Sequence, residues 1–222
     1  MEKFKAIIFD LDGTLIDSEL HWVDAEKKFL STYGLDYTQE WVSRVMGKSL
    51  TESSKLLKEI HNLPHSHEEI LAEKIKHSDP IYTHHAQPMP GAEKLLSILK
   101  DAGFQLAIAS GSSLSRIQTI VSRFGWEKYF DQLCSTDHVG YIGKPDPAIF
   151  NYTAQSLEMA PSDCLVFEDS VNGLRAAKGA AMSCVAVINP DWSFGDFSQA
   201  ELSVQTLEDK AIYNFLDLPY EQ

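Results

Sequence analysis

Four short apolar runs set the tightest limit on how this chain can fold. They are Lys5-Ala6-Ile7-Ile8-Phe9, Phe104 to Ala109, Cys164 to Phe167 and Ser183 to Ile188. Each is short, nearly continuous in apolar residues and ended by polar ones, which is the pattern of a strand buried on both faces. Helical patterns accompany them. Gly91 to Ala102 places Leu95, Leu96 and Leu99 on one face with Gly103 as its stop. Leu114 to Phe124 repeats this with Ile117, Ile120, Val121 and Phe124, and Asp146-Pro147 predicts an N-cap and a proline at the first turn of a helix reaching about Leu157. Ser170 to Gly179 reads as a further helix. Strands alternating with helices predict an α/β fold, a Rossmann-like doubly wound parallel sheet covered on both faces.

Residues from about Glu19 to Thr83 break the rhythm. They are polar, helical in pattern and without a convincing strand; Trp22, Ala25, Phe29 and Leu30 form one apolar stripe, and Leu56, Leu57 and Ile60 another. Because this stretch follows the first strand directly, it reads as an inserted α-helical cap domain over the sheet's edge, spanning 18–87, with Pro88-Met89-Pro90-Gly91 marking the return. The catalytic core domain would then be 1–17 and 88–222.

Composition narrows the function. Hydrophobic residues make up 44% and charged residues 23% of 222 residues, enough apolar material for a core without staples. Cys134, Cys164 and Cys184 are odd in number, lack CxxC spacing and read as free thiols. A formal charge of −13 argues against a nucleic-acid partner. No run approaches the ~20 apolar residues needed to cross a bilayer. The N-terminal run is cut at once by Asp10 and Asp12, so no signal peptide is expected and the chain reads as a cytoplasmic monomer with no membrane partner. An acidic protein that handles an anion must find local positive charge in a metal, a lysine or a helix N-terminus.

The strand ends carry the chemistry. The first ends in Asp10-Leu11-Asp12-Gly13-Thr14, whose two carboxylates at i, i+2 can face one cleft, one to attack and one to carry a proton. Ala109-Ser110-Gly111-Ser112-Ser113 runs into a helix and offers an anion site, or a plain N-cap. Gly143-Lys144-Pro145-Asp146-Pro147 aims a lysine between prolines, where an oriented ammonium offsets repulsion toward a phosphate dianion; its plain reading is a solvated turn. Phe167-Glu168-Asp169-Ser170 leaves two acids at an apolar strand's end, costly unless paired or bound to a metal, and hard oxygen donors favour Mg2+. Each signal is weak alone, yet together they bring Asp/Asp, Ser, Lys and Glu/Asp to one rim of a sheet, where ligands bind in open α/β folds.

With FDLDGTL, ASGSS, GKPDP and FEDS in this order, the chain resembles the haloacid dehalogenase superfamily, and the helical insertion resembles the α-helical cap of its β-phosphoglucomutase-like members. The resemblance implies Asp10 as nucleophile and Asp12 as general acid and base, with its backbone carbonyl on magnesium. It implies Asp169 as a metal ligand and Glu168 as a ligand or its neighbour, while Ser110, Gly111 and Lys144 hold the phosphoryl group. Asp12 sets the chain apart from dehalogenases and phosphonate hydrolases, which lack that acid. Gly47-Lys48-Ser49-Leu50 keeps the mutases' cap glycine without an arginine at the expected spacing, and Ser18-Glu19-Leu20-His21-Trp22 resembles bacterial hexose-phosphate phosphatases of the 2-deoxyglucose-6-phosphate type. The expected function is a Mg-dependent phosphatase for a small phosphorylated metabolite, a sugar phosphate, with Gly47 and Lys48 contacting it from the cap. A phosphosugar mutase is the alternative, and a non-catalytic binding module the remote one. His61, His65, His67, His77, His84 and His85 read as scattered surface residues, and Trp41 and Trp126 as packing, with Trp22 open as a substrate contact.

Overall fold

The computed structural model describes residues 4–45 and 49–220. The chain divides into two compact units, Met1–Asp17 with Gln87–Gln222, and Ser18–Ala86.

The first unit is built on six parallel strands: β1 (Ala6–Phe9), β2 (Gln105–Ser110), β3 (Gln132–Ser135), β4 (Cys164–Glu168), β5 (Ser183–Val187) and β6 (Leu202–Val204). Their order in the sheet is β3-β2-β1-β4-β5-β6. The chain builds outward from β1 through β2 to β3, then returns to β4 on β1's other side, so the direction of winding reverses between β1 and β4. Such a reversal opens a crevice beyond the strands' carboxyl ends. The central strand is apolar throughout because helices cover both faces, and all four of its residues are buried. Alternation divides it: Ala6 and Ile8 join a cluster with Ile149, Phe150, Leu174 and Ala177, while Phe9 stacks on Phe167 with ring centroids 4.9 Å apart.

The helices of this unit are α5 (Ala92–Asp101), α6 (Leu114–Phe124), α7 (Ala148–Ser156), α8 (Val171–Gly179) and α9 (Lys210–Phe215). The four expected helices form, but α7 begins at Ala148 instead of Pro147; the Asp146 carboxylate still accepts the Ala148 N–H at 2.9 Å. Strands β3 and β6 were not anticipated. Both lie at sheet edges, where one side needs no apolar cover, so neither shows a continuous hydrophobic run.

The second unit contains α1 (Glu19–Ser31), α2 (Gln39–Val45), α3 (Leu50–His61) and α4 (His67–Pro80), the last continuing into a wider π-turn at Ile81–His85. Capping boxes start α3 (Ser49 with Glu52) and α4 (Ser66 with Glu69), each satisfying backbone donors that the helix leaves open. Phe29, Leu30, Trp41, Leu57 and Ile70 form its core. Of the two expected stripes, the first buries Ala25, Phe29 and Leu30; in the second only Leu57 is buried, and Ile60 is exposed. Among the described residues, no helix is long and apolar enough to cross a membrane.

Candidate active site

The site grows from the end of β1. Asp10 extends the ladder by donating its N–H to the Phe167 carbonyl at 2.9 Å, so its side chain emerges at the seam between β1 and β4. The chain then turns tightly: the Leu11 carbonyl accepts the N–H groups of Leu15 and Ile16, and the Gly13 N–H donates to Ile16. Gly13 is required twice over. Its φ is +82°, and a Cβ there would stand 2.3 Å from Asp169 Oδ2.

Lys144 reaches into this seam from the loop before α7. Its Nζ donates to Asp10 Oδ1 at 2.5 Å, to Glu168 Oε1 at 2.7 Å and to the Ala109 carbonyl at 3.2 Å. Glu168 uses its other oxygen on Ser170, accepting the N–H at 2.7 Å and the hydroxyl at 2.9 Å. Ser170 also caps α8 through the Gly173 N–H. The Glu168 carboxylate lies so close to that helix's first turn that a Cβ on Gly173 would overlap it at 1.8 Å. One short segment, Glu168 to Gly173, thus starts a helix and fixes an acid at the same time.

Asp12 faces β2's end. Its Oδ2 accepts the Ser112 hydroxyl at 2.7 Å and, more weakly, the Ser110 hydroxyl at 3.4 Å. The Ser110–Ser113 loop is held from the neighbouring strand: Ser135 Oγ donates to the Ser112 carbonyl at 2.7 Å, and Thr136 Oγ1 to the Gly111 carbonyl at 3.1 Å.

Burial pushes the Asp10 carboxyl up to about 8, with Lys144 pulling it down and Glu168 and Asp12 adding to the rise. Burial alone would lower the Lys144 ammonium's pKa, but Asp10 and Glu168 outweigh it and the net direction is upward. The lysine is therefore a fixed positive charge at neutral pH. Asp10, Glu168 and Asp169, all buried, each bring a carboxylate oxygen within 4.8 Å of the others. Hard oxygen donors in such a cluster suit a divalent cation, and a neighbouring carboxylate can act as nucleophile or proton carrier.

The structure gathers Asp10, Asp12, Ser110, Lys144, Glu168 and Asp169 at the sheet's carboxyl edge. Gly111 is exposed in the loop beside them, and Gly47 and Lys48 lie outside the described residues. Sequence reasoning missed Ser112, which stood in the quoted ASGSS string yet makes the shorter bond to Asp12. It also missed Ser135 and Thr136, because β3 itself went unseen. The histidines have ordinary local partners: His67 bonds Ser54 and Thr51, and His77 bonds Thr32 and Glu73. All three cysteines are free and buried, Trp126 is fully buried, and Trp41 donates its indole N–H to Glu26 at 2.8 Å.

A family model described as haloacid dehalogenase-like hydrolase matches residues 4–181. A probable pseudouridine-5'-phosphatase of Drosophila melanogaster is 35% identical over 214 residues, covering 94% of this chain and 92% of the relative. A phosphorylated carbohydrates phosphatase of Thermotoga maritima is 31% identical, covering 80% and 82%. Among solved structures, a putative β-phosphoglucomutase of Thermotoga maritima aligns with a TM-score of 0.75 at 29% identity, covering 96% of this chain and 99% of that one.

Proposed function

The chain belongs to the haloacid dehalogenase-like hydrolases, and on that premise we propose that it is a magnesium-dependent phosphatase acting on a small sugar phosphate through a phosphoryl group carried on Asp10. The observation that supports this most is the Lys144 ammonium lying between Asp10 and Glu168 at 2.5 and 2.7 Å, beside the buried Asp169. A buried carboxylate can attack a phosphate dianion only if the repulsion is offset. Lys144 and a cation held by the acids offset it together.

The donor set fits magnesium: the cluster is all carboxylate, and a bound cation would displace the proton that burial keeps on Asp10. Asp10, Asp169 and the Asp12 carbonyl would hold the ion. Glu168 spends its oxygens on Lys144 and Ser170, so its role in this reading is to aim the lysine. Magnesium supplies charge neutralisation on the phosphoryl oxygens when bound.

In the first step an Asp10 oxygen forms a bond to phosphorus, the bond to the alcohol oxygen breaks, and Asp12 gives that oxygen its proton. In the second, Asp12 takes a proton from water, the water oxygen bonds to phosphorus, and Asp10 leaves as a carboxylate with release of inorganic phosphate. Ser112 and Ser110 hold Asp12 in the pose from which it serves both steps.

The helical unit has a cavity of its own, of about 370 Å³, lined in part by Trp22, Tyr37, Val45 and Leu50. Its size suits a sugar. The names of the two phosphatase relatives support a phosphorylated small molecule, one of them a carbohydrate. The test is phosphate release with magnesium across a panel of sugar phosphates, beside a test for conversion of β-glucose 1-phosphate to glucose 6-phosphate. Release without isomerisation is expected. Isomerisation with little free phosphate would make the protein a mutase, the reading its likeness to a putative β-phosphoglucomutase favours.

A further inference from the structure

One donor beside the acidic cluster has no role in the steps above. The indole N–H of Trp192 is shielded from solvent and has no hydrogen-bond partner among the described residues, a costly state for a polar group. Its position is informative. Trp192 Nε1 and Asp169 Oδ2 both lie within 3.0 Å of one point, the place a Cβ on Gly13 would occupy. The stranded donor therefore sits against the Asp10–Gly13 turn, next to the carboxylate of Asp169.

The loop that brings it there is built to do so. After β5, Asn189 folds the chain back on itself: its carbonyl accepts the Ser193 N–H at 2.8 Å, its N–H donates to Ser193 Oγ at 3.0 Å, and its side-chain oxygen accepts the Asp191 N–H at 2.9 Å. Two residues beyond, Gly195 (φ +118°) lies flat on Val171, where a Cβ would meet Val171 Cγ2 at 2.7 Å. Val171 opens α8, directly after Asp169 and Ser170. The loop is thus docked on both segments that form the acidic cleft, the turn after β1 and the start of α8.

An indole N–H only donates, so what it lacks is an acceptor, and the acceptor beside it is a carboxylate oxygen. We infer that Trp192 is a positioning residue for the divalent cation: its N–H donates to the Asp169 carboxylate when that group takes up the ion, which orients the ligand and strengthens binding. This rests on the magnesium site proposed above. It adds a residue from the loop after β5, outside the four strand-end motifs.

The test follows magnesium binding by nuclear magnetic resonance, without turnover. Four tryptophans give four indole N–H resonances, and the one missing in W192F belongs to Trp192. Adding magnesium chloride to wild-type protein should move that resonance, in step with the backbone amides of Gly13 and Asp169. In W192F, which keeps a ring but loses the donor, the magnesium Kd read from those amides should rise about three- to tenfold, the scale of one hydrogen bond. If the amides shift while the Trp192 indole stays still, or if Kd is the same in W192F, the role of Trp192 is overturned and the metal site stands. If no resonance near Asp169 responds to magnesium, both fail together. The wild-type titration decides the matter even if W192F folds poorly.

Discussion

Each unit places a lysine deep among its neighbours, and the two are pushed in opposite directions. Lys74 of the helical unit pairs with Glu26 at 3.0 Å and lies 5.0 Å from the Phe29 ring centroid. Burial lowers its pKa, and the single carboxylate does not make up the difference. Lys144 is similarly shielded, yet Asp10 and Glu168 together overcome burial and drive its pKa up. Their surroundings explain the contrast. Glu26 also accepts the Trp41 indole, so Lys74 and Glu26 form a polar knot inside a small apolar core of Phe29, Leu30, Trp41, Leu57 and Ile70. Lys144 instead belongs to a crowd of acids that it cannot neutralise alone. A buried one-to-one pair is architecture, whereas a buried site left short of positive charge is ready for a cation and an anionic substrate.

The largest effect tests the acid crowd itself. D10N should lower turnover by at least roughly a thousandfold, because an amide is a poor nucleophile; phosphate release at wild-type rates would remove Asp10 from the chemistry. Next, the two lysines should separate. K144M should cost about a hundredfold or more in turnover of every substrate, as loss of a preorganised charge at the reacting group does. K74M should destabilise the fold by about 3–5 kcal/mol, the scale of a broken buried pair. Hydrolysis of a small aryl phosphate should stay within about threefold in K74M, an effect size below one lost hydrogen bond. Equal losses in the two variants on the aryl ester would erase the distinction.

The pH dependence follows from Asp10, raised from 3.8 to about 8 in the fold. Between those values the folded protein keeps a proton that the unfolded chain gives up. Metal-free stability therefore falls as pH rises through that window, by at most about 1.4 kcal/mol per pH unit. D10N lacks this dependence, so its stability advantage over the wild type should widen by up to about 4 kcal/mol between about pH 5 and pH 8, read from urea titrations in chelator. Magnesium should raise the wild-type Tm more at the higher pH, where it no longer competes with that proton. A gap independent of pH would mean that Asp10 is charged throughout. The smallest effect is S112A, which removes the 2.7 Å bond to Asp12 and should slow turnover about three- to tenfold with less than about 1 kcal/mol lost in stability.

The sheet's centre was legible because β1, β2, β4 and β5 are apolar on both faces, and that requirement leaves a continuous mark on the chain. The edges were not: β3 reads Gln132-Leu133-Cys134-Ser135 and β6 only Leu202-Ser203-Val204, too short and mixed to differ from loops. The same distinction runs through the site. Asp10, Lys144, Glu168 and Asp169 stand at the ends of recognisable motifs. Ser112 and Trp192 act through contacts made across the fold, Ser112 with Asp12 from 100 positions away, and nothing in the local pattern marks a serine or tryptophan for such a role. Gly173 fell inside the expected helix Ser170 to Gly179, but its purpose, leaving room for the Glu168 carboxylate, depends on packing.

The central claim is that Asp10 carries the phosphoryl group, and chemical trapping tests it directly. Protein mixed with a hydrolysed sugar phosphate and magnesium is quenched in acid, and the quenched sample is reduced with borohydride, which converts an acyl phosphate of aspartate to homoserine. Peptide mass spectrometry should then find homoserine at position 10 in the substrate-treated sample and aspartate there in the control without substrate. An unmodified Asp10 in protein shown to be turning over, or a trapped residue elsewhere, would contradict the mechanism.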